Sequence, residues 1–208
     1  MYKNIVFDLG GVVVDFNPRE FLLDRFYSEN IESTVYNITF GSEEWSKLDA
    51  GLLTREEGNA IMLEHAKEQG YLFEVQSVLD DWMRTLKTRR KTIEIIKRLK
   101  KMGFSIFFLS NIAQDTLDEL KSREFWELFD GGIASCEVHV NKPEEGIYRA
   151  LLNQYKLVPS ETIFIDDSKP NTTSAFDLGI TGIHYKGTAS LIRALNTCGI
   201  SIKEHLLW

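Results

Sequence analysis

Four short stretches of the chain carry side chains that do chemistry: Asp8-Leu9-Gly10-Gly11, Ser110-Asn111, Asn141-Lys142-Pro143-Glu144 and Asp166-Asp167-Ser168. They supply carboxylates, a hydroxyl, an amide and a lysine. The chemistry that uses this set is phosphoryl transfer. A carboxylate attacks phosphorus and forms an aspartyl phosphate. Two anions must meet in that step, so a cation has to lower their repulsion. Mg²⁺, a hard ion with oxygen ligands and retained waters, is the natural choice. Asp8 and Asp167 can supply its carboxylates. A lysine and a hydroxyl can hold the remaining phosphate oxygens, and glycine N–H groups can approach closely. Singly, each residue has an ordinary role: a helix N-cap for Asp8, Asp167 or Ser110, a solvated surface charge for Lys142. Their joint recurrence at successive strand ends argues against four unrelated caps.

The elements that must position them follow from periodicity. Ile5-Val6-Phe7, Phe104 to Leu109, Gly132-Ile133-Ala134, Thr162 to Ile165 and Ile180 to Tyr185 read as strands. Their nearly continuous hydrophobicity suits a parallel sheet buried on both faces. Helices lie between them. Ile95, Ile96, Leu99 and Met102 form one stripe, closed by Gly103, and Pro143 is expected to open a helix with Ile147, Tyr148, Leu151, Leu152 and Tyr155 inward. The pattern predicts an α/β, doubly wound, Rossmann-like domain. In such a sheet ligands bind beyond the carboxyl ends of the strands, where these residues stand. About ninety residues separate the first two strands. Within them Pro18 to Tyr27, Ser42 to Lys47, Thr54 to Gln69 and Phe73 to Leu86 read as helix, and Thr54 and Glu57 have the spacing of a capping box. This is an inserted helical subdomain.

Composition narrows the class. The chain has 208 residues, 43 % of them hydrophobic and 26 % charged, and a net charge of −7. That balance argues for solubility and against nucleic acid or an anionic membrane as partner. Two cysteines, Cys136 and Cys198, are no disulfide framework and read as reduced thiols. With no signal-like segment and no span of ~20 apolar residues, the expected location is cytoplasmic. The basic run from Arg84 to Lys101 reads as a solvated helix face.

FDLGGVVVD, FLSN, NKPE and FIDDS, in this order and spacing, resemble the four motifs of the haloacid dehalogenase superfamily. The resemblance covers essentially the whole chain and implies a sheet order of 5-4-1-2-3. It implies a core over 1–15 and 88–208, with a C1-type helical cap over 16–87. By resemblance Asp8 is the nucleophile, Ser110, Asn111 and Gly11 face the phosphate, and Lys142 neutralises both. Asp8, the Gly10 carbonyl and Asp167 would hold Mg²⁺, with Asp166 beside them. Asn171 falls where the fourth motif's polar residue often lies.

The chain departs from the family at Gly10. Most phosphatases of the superfamily carry there a second aspartate, which protonates the leaving oxygen and then activates water. General acid–base catalysis of this kind contributes ~10²–10⁴-fold. The expected function is therefore a Mg²⁺-dependent phosphatase of a small phosphorylated metabolite with a good leaving group, such as a sugar 1-phosphate. Some bacterial relatives also carry DLG in the first motif. Two alternatives stand beside it: a 2-haloacid dehalogenase-type hydrolase, and a catalytically weakened domain that binds a phosphorylated ligand or partner. Asp15, the nearest carboxylate, suits a turn or hinge. His139 stands where relatives often have glycine. Trp45 and Lys47 are candidates for substrate specificity, and the terminal Leu206-Leu207-Trp208 for packing on the core or a partner. The molecule is expected to be a monomer or a homodimer.

Overall fold

The computed structural model describes residues 1–202. The expected packing of Leu206, Leu207 and Trp208 lies outside the described residues.

Five strands form one parallel sheet: β1 (Asn4–Phe7), β2 (Ser105–Ser110), β3 (Gly131–Ala134), β4 (Thr162–Asp166) and β5 (Thr181–His184). The order is β3-β2-β1-β4-β5, the expected order read from its other edge. Alternate residues along the strands serve opposite faces, as a period of two demands. Ile5, Phe7, Ile106, Phe108, Ile163 and Ile165 share one apolar cluster with α6 (Arg90–Lys101), α7 (Gln114–Lys121) and α11 (Thr188–Thr197). Val6, Phe107, Leu109, Ile133 and Phe164 share the other with α9 (Glu145–Tyr155) and α10 (Lys169–Asp177). Each fully buried aliphatic side chain contributes ~1.5–3 kcal/mol by leaving water, so both layers hold the sheet.

Between β1 and α6 run α1 (Pro18–Phe26), α2 (Glu29–Ile38), α3 (Glu43–Asp49), α4 (Arg55–Gln69), α5 (Leu72–Leu79) and a 3₁₀ turn, Trp82–Thr85. Thr54 and Glu57 form the expected reciprocal capping box on α4. The chain enters and leaves this insert through paired segments. Asp15 N–H donates to the Lys87 carbonyl at 2.8 Å, Arg89 N–H to the Val13 carbonyl at 2.9 Å, and Arg89 Nε to the Asp15 carboxylate at 2.7 Å. Asp15 thus ties the two crossings together.

Four sequence expectations need correction. The helix expected to open at Pro143 begins at Glu145, and the Lys142–Pro143 peptide is cis. Met102 is 48 % exposed, because α6 has ended and residue 102 is already its C-cap. The helix expected over Phe73 to Leu86 is broken at Asp80 and Asp81, leaving the 3₁₀ turn apart. Helix α2 was not anticipated at all. Its sequence, ENIESTVYNI, is rich in β-branched and amide residues of low helix propensity. Burial of Val35 and Ile38 overrides that propensity, and the Ser28 side chain caps its N-terminus.

Candidate active site

The register explains how distant residues meet. Phe7 is level with Phe108 on one side and Ile165 on the other, so β1, β2 and β4 end together. Asp8 follows β1, and its N–H still donates to the Ile165 carbonyl at 2.9 Å. Ser110 and Asp166 are the last residues of β2 and β4. Asp8, Ser110 and Asp166 are all buried.

Lys142 joins them. Its Nζ lies 2.9 Å from Asp8 Oδ1 and 2.7 Å from Asp166 Oδ2, and it also donates to the Leu109 carbonyl at 2.9 Å. The Lys142 side chain is 1 % exposed. Burial works against its charge, yet Asp8 and Asp166 hold its pKa above the usual lysine value. Asn111 fixes the loop that carries it: the Asn111 amide donates to the Lys142 carbonyl at 2.9 Å and accepts from the Lys142 N–H at 2.7 Å. The amide is spent on Lys142, which makes Asn111 a support for the lysine. Asp166 is equally engaged, accepting from Ser168 N–H at 2.7 Å and from Asn171 Nδ2 at 3.1 Å.

Asp8, Asp166 and Asp167 each offer a carboxylate oxygen within 4.8 Å of the others. Burial pushes the Asp8 carboxyl up to about 8; Lys142 pulls it down, while Asp166 and Asp167 push it further up. Burial and Asp166 also raise Asp167. Three acids around one lysine leave negative charge that calls for a cation. The donors are all oxygen, which fits a hard divalent ion such as Mg²⁺. Gly11 makes this approach possible: its φ is +71°, and a Cβ there would lie 2.0 Å from Asp167 Oδ2. Gly10 differs, since a Cβ there would meet Phe16 at an ordinary 3.5 Å.

Beside Gly10 opens a cavity of about 60 Å³, which Ser110 and Asn111 also line. An aromatic wall closes it. Trp45 and Trp82 ring centroids are 4.9 Å apart, and Phe16 stands 6.2 Å from Trp82. Trp45 therefore packs within the insert and faces the cavity at once. Lys47 does not line the cavity; its Nζ pairs with Glu43 at 2.7 Å on the exposed side of α3. His139 also points elsewhere, its Nδ1 3.0 Å from the Ala50 carbonyl. Sequence reasoning missed Asp49, which lines the same cavity.

Comparison with known proteins agrees with this architecture. The chain is 27 % identical over 203 residues to the sesquiterpene phosphatase astK of Aspergillus oryzae, covering 95 % of this chain and 93 % of that one. It is 28 % identical to bifunctional epoxide hydrolase 2 of Rattus norvegicus, over 86 % of this chain but only 33 % of that longer protein. It is 24 % identical to the D-ribitol-5-phosphate phosphatase of Bacteroides thetaiotaomicron, over 86 % and 89 % of the two chains. The fold matches a solved enzyme of that organism in complex with magnesium and inorganic phosphate, at a TM-score of 0.68 and 23 % identity, covering 89 % and 95 %. Residues 2–179, which span all four motif stretches and the whole helical insert, match one hydrolase family, and the chain belongs to it: the haloacid dehalogenase-like hydrolases.

Proposed function

We propose that the protein is a Mg²⁺-dependent phosphatase that cleaves a small phosphate monoester through an aspartyl phosphate on Asp8. The observation that carries this reading is the meeting of Asp8, Asp166 and Asp167 around Lys142 at the strand ends. Asp8, the Gly10 carbonyl and Asp167 would hold the ion, with Asp166 beside them. Mg²⁺, when bound, neutralises charge shared by nucleophile and phosphate and favours the ionised form of Asp8. Asp8 attacks phosphorus with Oδ2, because Oδ1 is held by Leu9 N–H at 2.7 Å and by Lys142. Lys142 and Ser110 hold the transferring phosphoryl oxygens. Asn111 and Asn171 keep Lys142 and Asp166 in place.

Two relatives named as phosphatases, astK and the ribitol-5-phosphate enzyme, support the reaction class. The end of the substrate's alcohol nearest the phosphate would face the cavity beside Gly10. Sugar 1-phosphates are the first class to assay, because an anomeric oxygen leaves readily without an acid at position 10. The apolar wall of Phe16, Trp45 and Trp82 favours a second class, phosphates of apolar alcohols. The test is phosphate release, with and without Mg²⁺, across sugar 1-phosphates, sugar 6-phosphates, a prenyl phosphate and an aryl phosphate. Mg²⁺-dependent release that vanishes in Asp8→Asn supports the reading. Absence of release from every ester, or release undiminished in Asp8→Asn, overturns it.

A further inference from the structure

Gly10 has no carboxyl to offer, and the insert places one, that of Asp49, in the same cavity. Asp49 is the last residue of α3, and it lines the same cavity as Gly10 and Ser110. The end of α3 is pinned to the segment after β3 through three residues. Ser135 Oγ donates to the Asp49 carbonyl at 2.5 Å and accepts from Ile112 N–H at 2.8 Å. His139 Nδ1 meets the Ala50 carbonyl at 3.0 Å, and Asn141 Nδ2 donates to the Ser46 carbonyl at 2.8 Å. Both residues sit just ahead of Lys142, so one stretch of chain seats the lysine and α3 together.

We propose that Asp49 supplies the general acid and base that Gly10 lacks. The inference rests on the phosphatase reading above. In the first half-reaction Asp8 Oδ2 forms a bond to phosphorus as the bond to the ester oxygen breaks. The bonding pair goes to that oxygen, which takes the Asp49 proton and leaves as the alcohol. In the second, the Asp49 carboxylate takes a proton from water while the water oxygen attacks phosphorus. The phosphorus–Asp8 bond breaks, inorganic phosphate leaves, and Asp49 is protonated again.

The surroundings of Asp49 suit an acid that works near neutral pH. Burial pushes its pKa up to about 7; Arg55 from α4 and the Ala113 N–H pull it down, Asp115 from α7 pushes it up, and Lys142 lowers it. Arg55 is held against Asp115 at 2.8 Å and stacks over Trp45 and Trp82, with ring centroids 5.1 and 5.5 Å away. It is placed to steady the carboxylate that Asp49 becomes after giving up its proton. With this acid in place, poor leaving groups are also substrates.

The experiment compares an alkyl phosphate with 4-nitrophenyl phosphate, in the presence of Mg²⁺, in wild type and in Asp49→Asn. Asp49→Asn is expected to lower kcat for the alkyl ester by ~10²–10⁴-fold. For the aryl ester, whose leaving group needs no proton, it is expected to leave a pre-steady-state burst of nitrophenol with slowed turnover. Alkyl turnover within threefold of wild type overturns the assignment. If Asp49→Asn does not fold, wild type still decides. The ratio of alkyl to aryl first-step rates cancels ionisations common to both esters. It should fall about tenfold per pH unit above pH ~7, and a flat ratio overturns the assignment. Failure of the phosphatase reading itself would look different: wild type would release phosphate from neither ester.

Discussion

At the residue scale, Lys142 stands 2.9 Å from Asp8 and 2.7 Å from Asp166, and Asn111 holds Lys142 in turn. Asp8, Ser110, Lys142 and Asp167 stand out because carboxylates, a hydroxyl and a lysine follow apolar strands. Asp49 lies in a polar helical stretch that resembles any solvated turn, and the cavity it lines exists only once the chain has folded. Gly10 and Gly11 look alike in sequence but differ in space. Gly11→Ala drives a Cβ into Asp167, so we expect at least a tenfold loss of Mg²⁺ affinity by calorimetry. Gly10→Asp finds room, and in the Asp49→Asn background it should raise alkyl phosphate turnover at least tenfold. Asp49 also has a stability signature. Its folded pKa, about 7, lies above the unfolded value, so the folded state keeps a proton that the unfolded chain loses. That contribution is complete below pH ~4 and disappears as pH rises through ~7. The side chain is half-buried, which limits the effect to on the order of 1–2 kcal/mol. Urea denaturation in EDTA should therefore show wild type losing that much relative to Asp49→Asn between pH 5 and pH 8.

At the element scale, local signals with their own hydrogen-bond logic were readable. The capping box of α4 is one, and Thr54→Ala should cost ~1 kcal/mol in denaturant unfolding. Helix α2 is the opposite case. Its Glu32 is buried against Arg19 of α1 at 2.9 Å, a pairing between two helices that the periodicity of either one does not show. The Asp15–Arg89 pair shows how position and energy separate. It joins the two crossings of the insert, but its side chains are 49 % and 32 % exposed. A double-mutant cycle on Asp15→Ala and Arg89→Ala should give a coupling of at most ~1 kcal/mol. A coupling well above that would mean the crossings are rigidly locked by charge.

At the scale of the whole molecule, burial on both faces made the sheet visible, because β1 and β4 carry unbroken apolar runs, Ile5-Val6-Phe7 and Ile163-Phe164-Ile165. The strand order came with the family resemblance, and the structure agrees with it. The cavity was not readable, since the loop after β1, the insert and the chain from the end of β2 into α7 build it jointly. On this mechanism one chain brings a nucleophile from the end of β1 and an acid from α3 to the same phosphorus. The most direct test is acid-quenched trapping of the phosphoenzyme with an aryl phosphate and Mg²⁺, followed by peptide mass spectrometry. One phosphoryl group is expected on the peptide that holds Asp8, none in Asp8→Asn, and a longer-lived label in Asp49→Asn. Phosphate release at full rate with no label on Asp8 would contradict it.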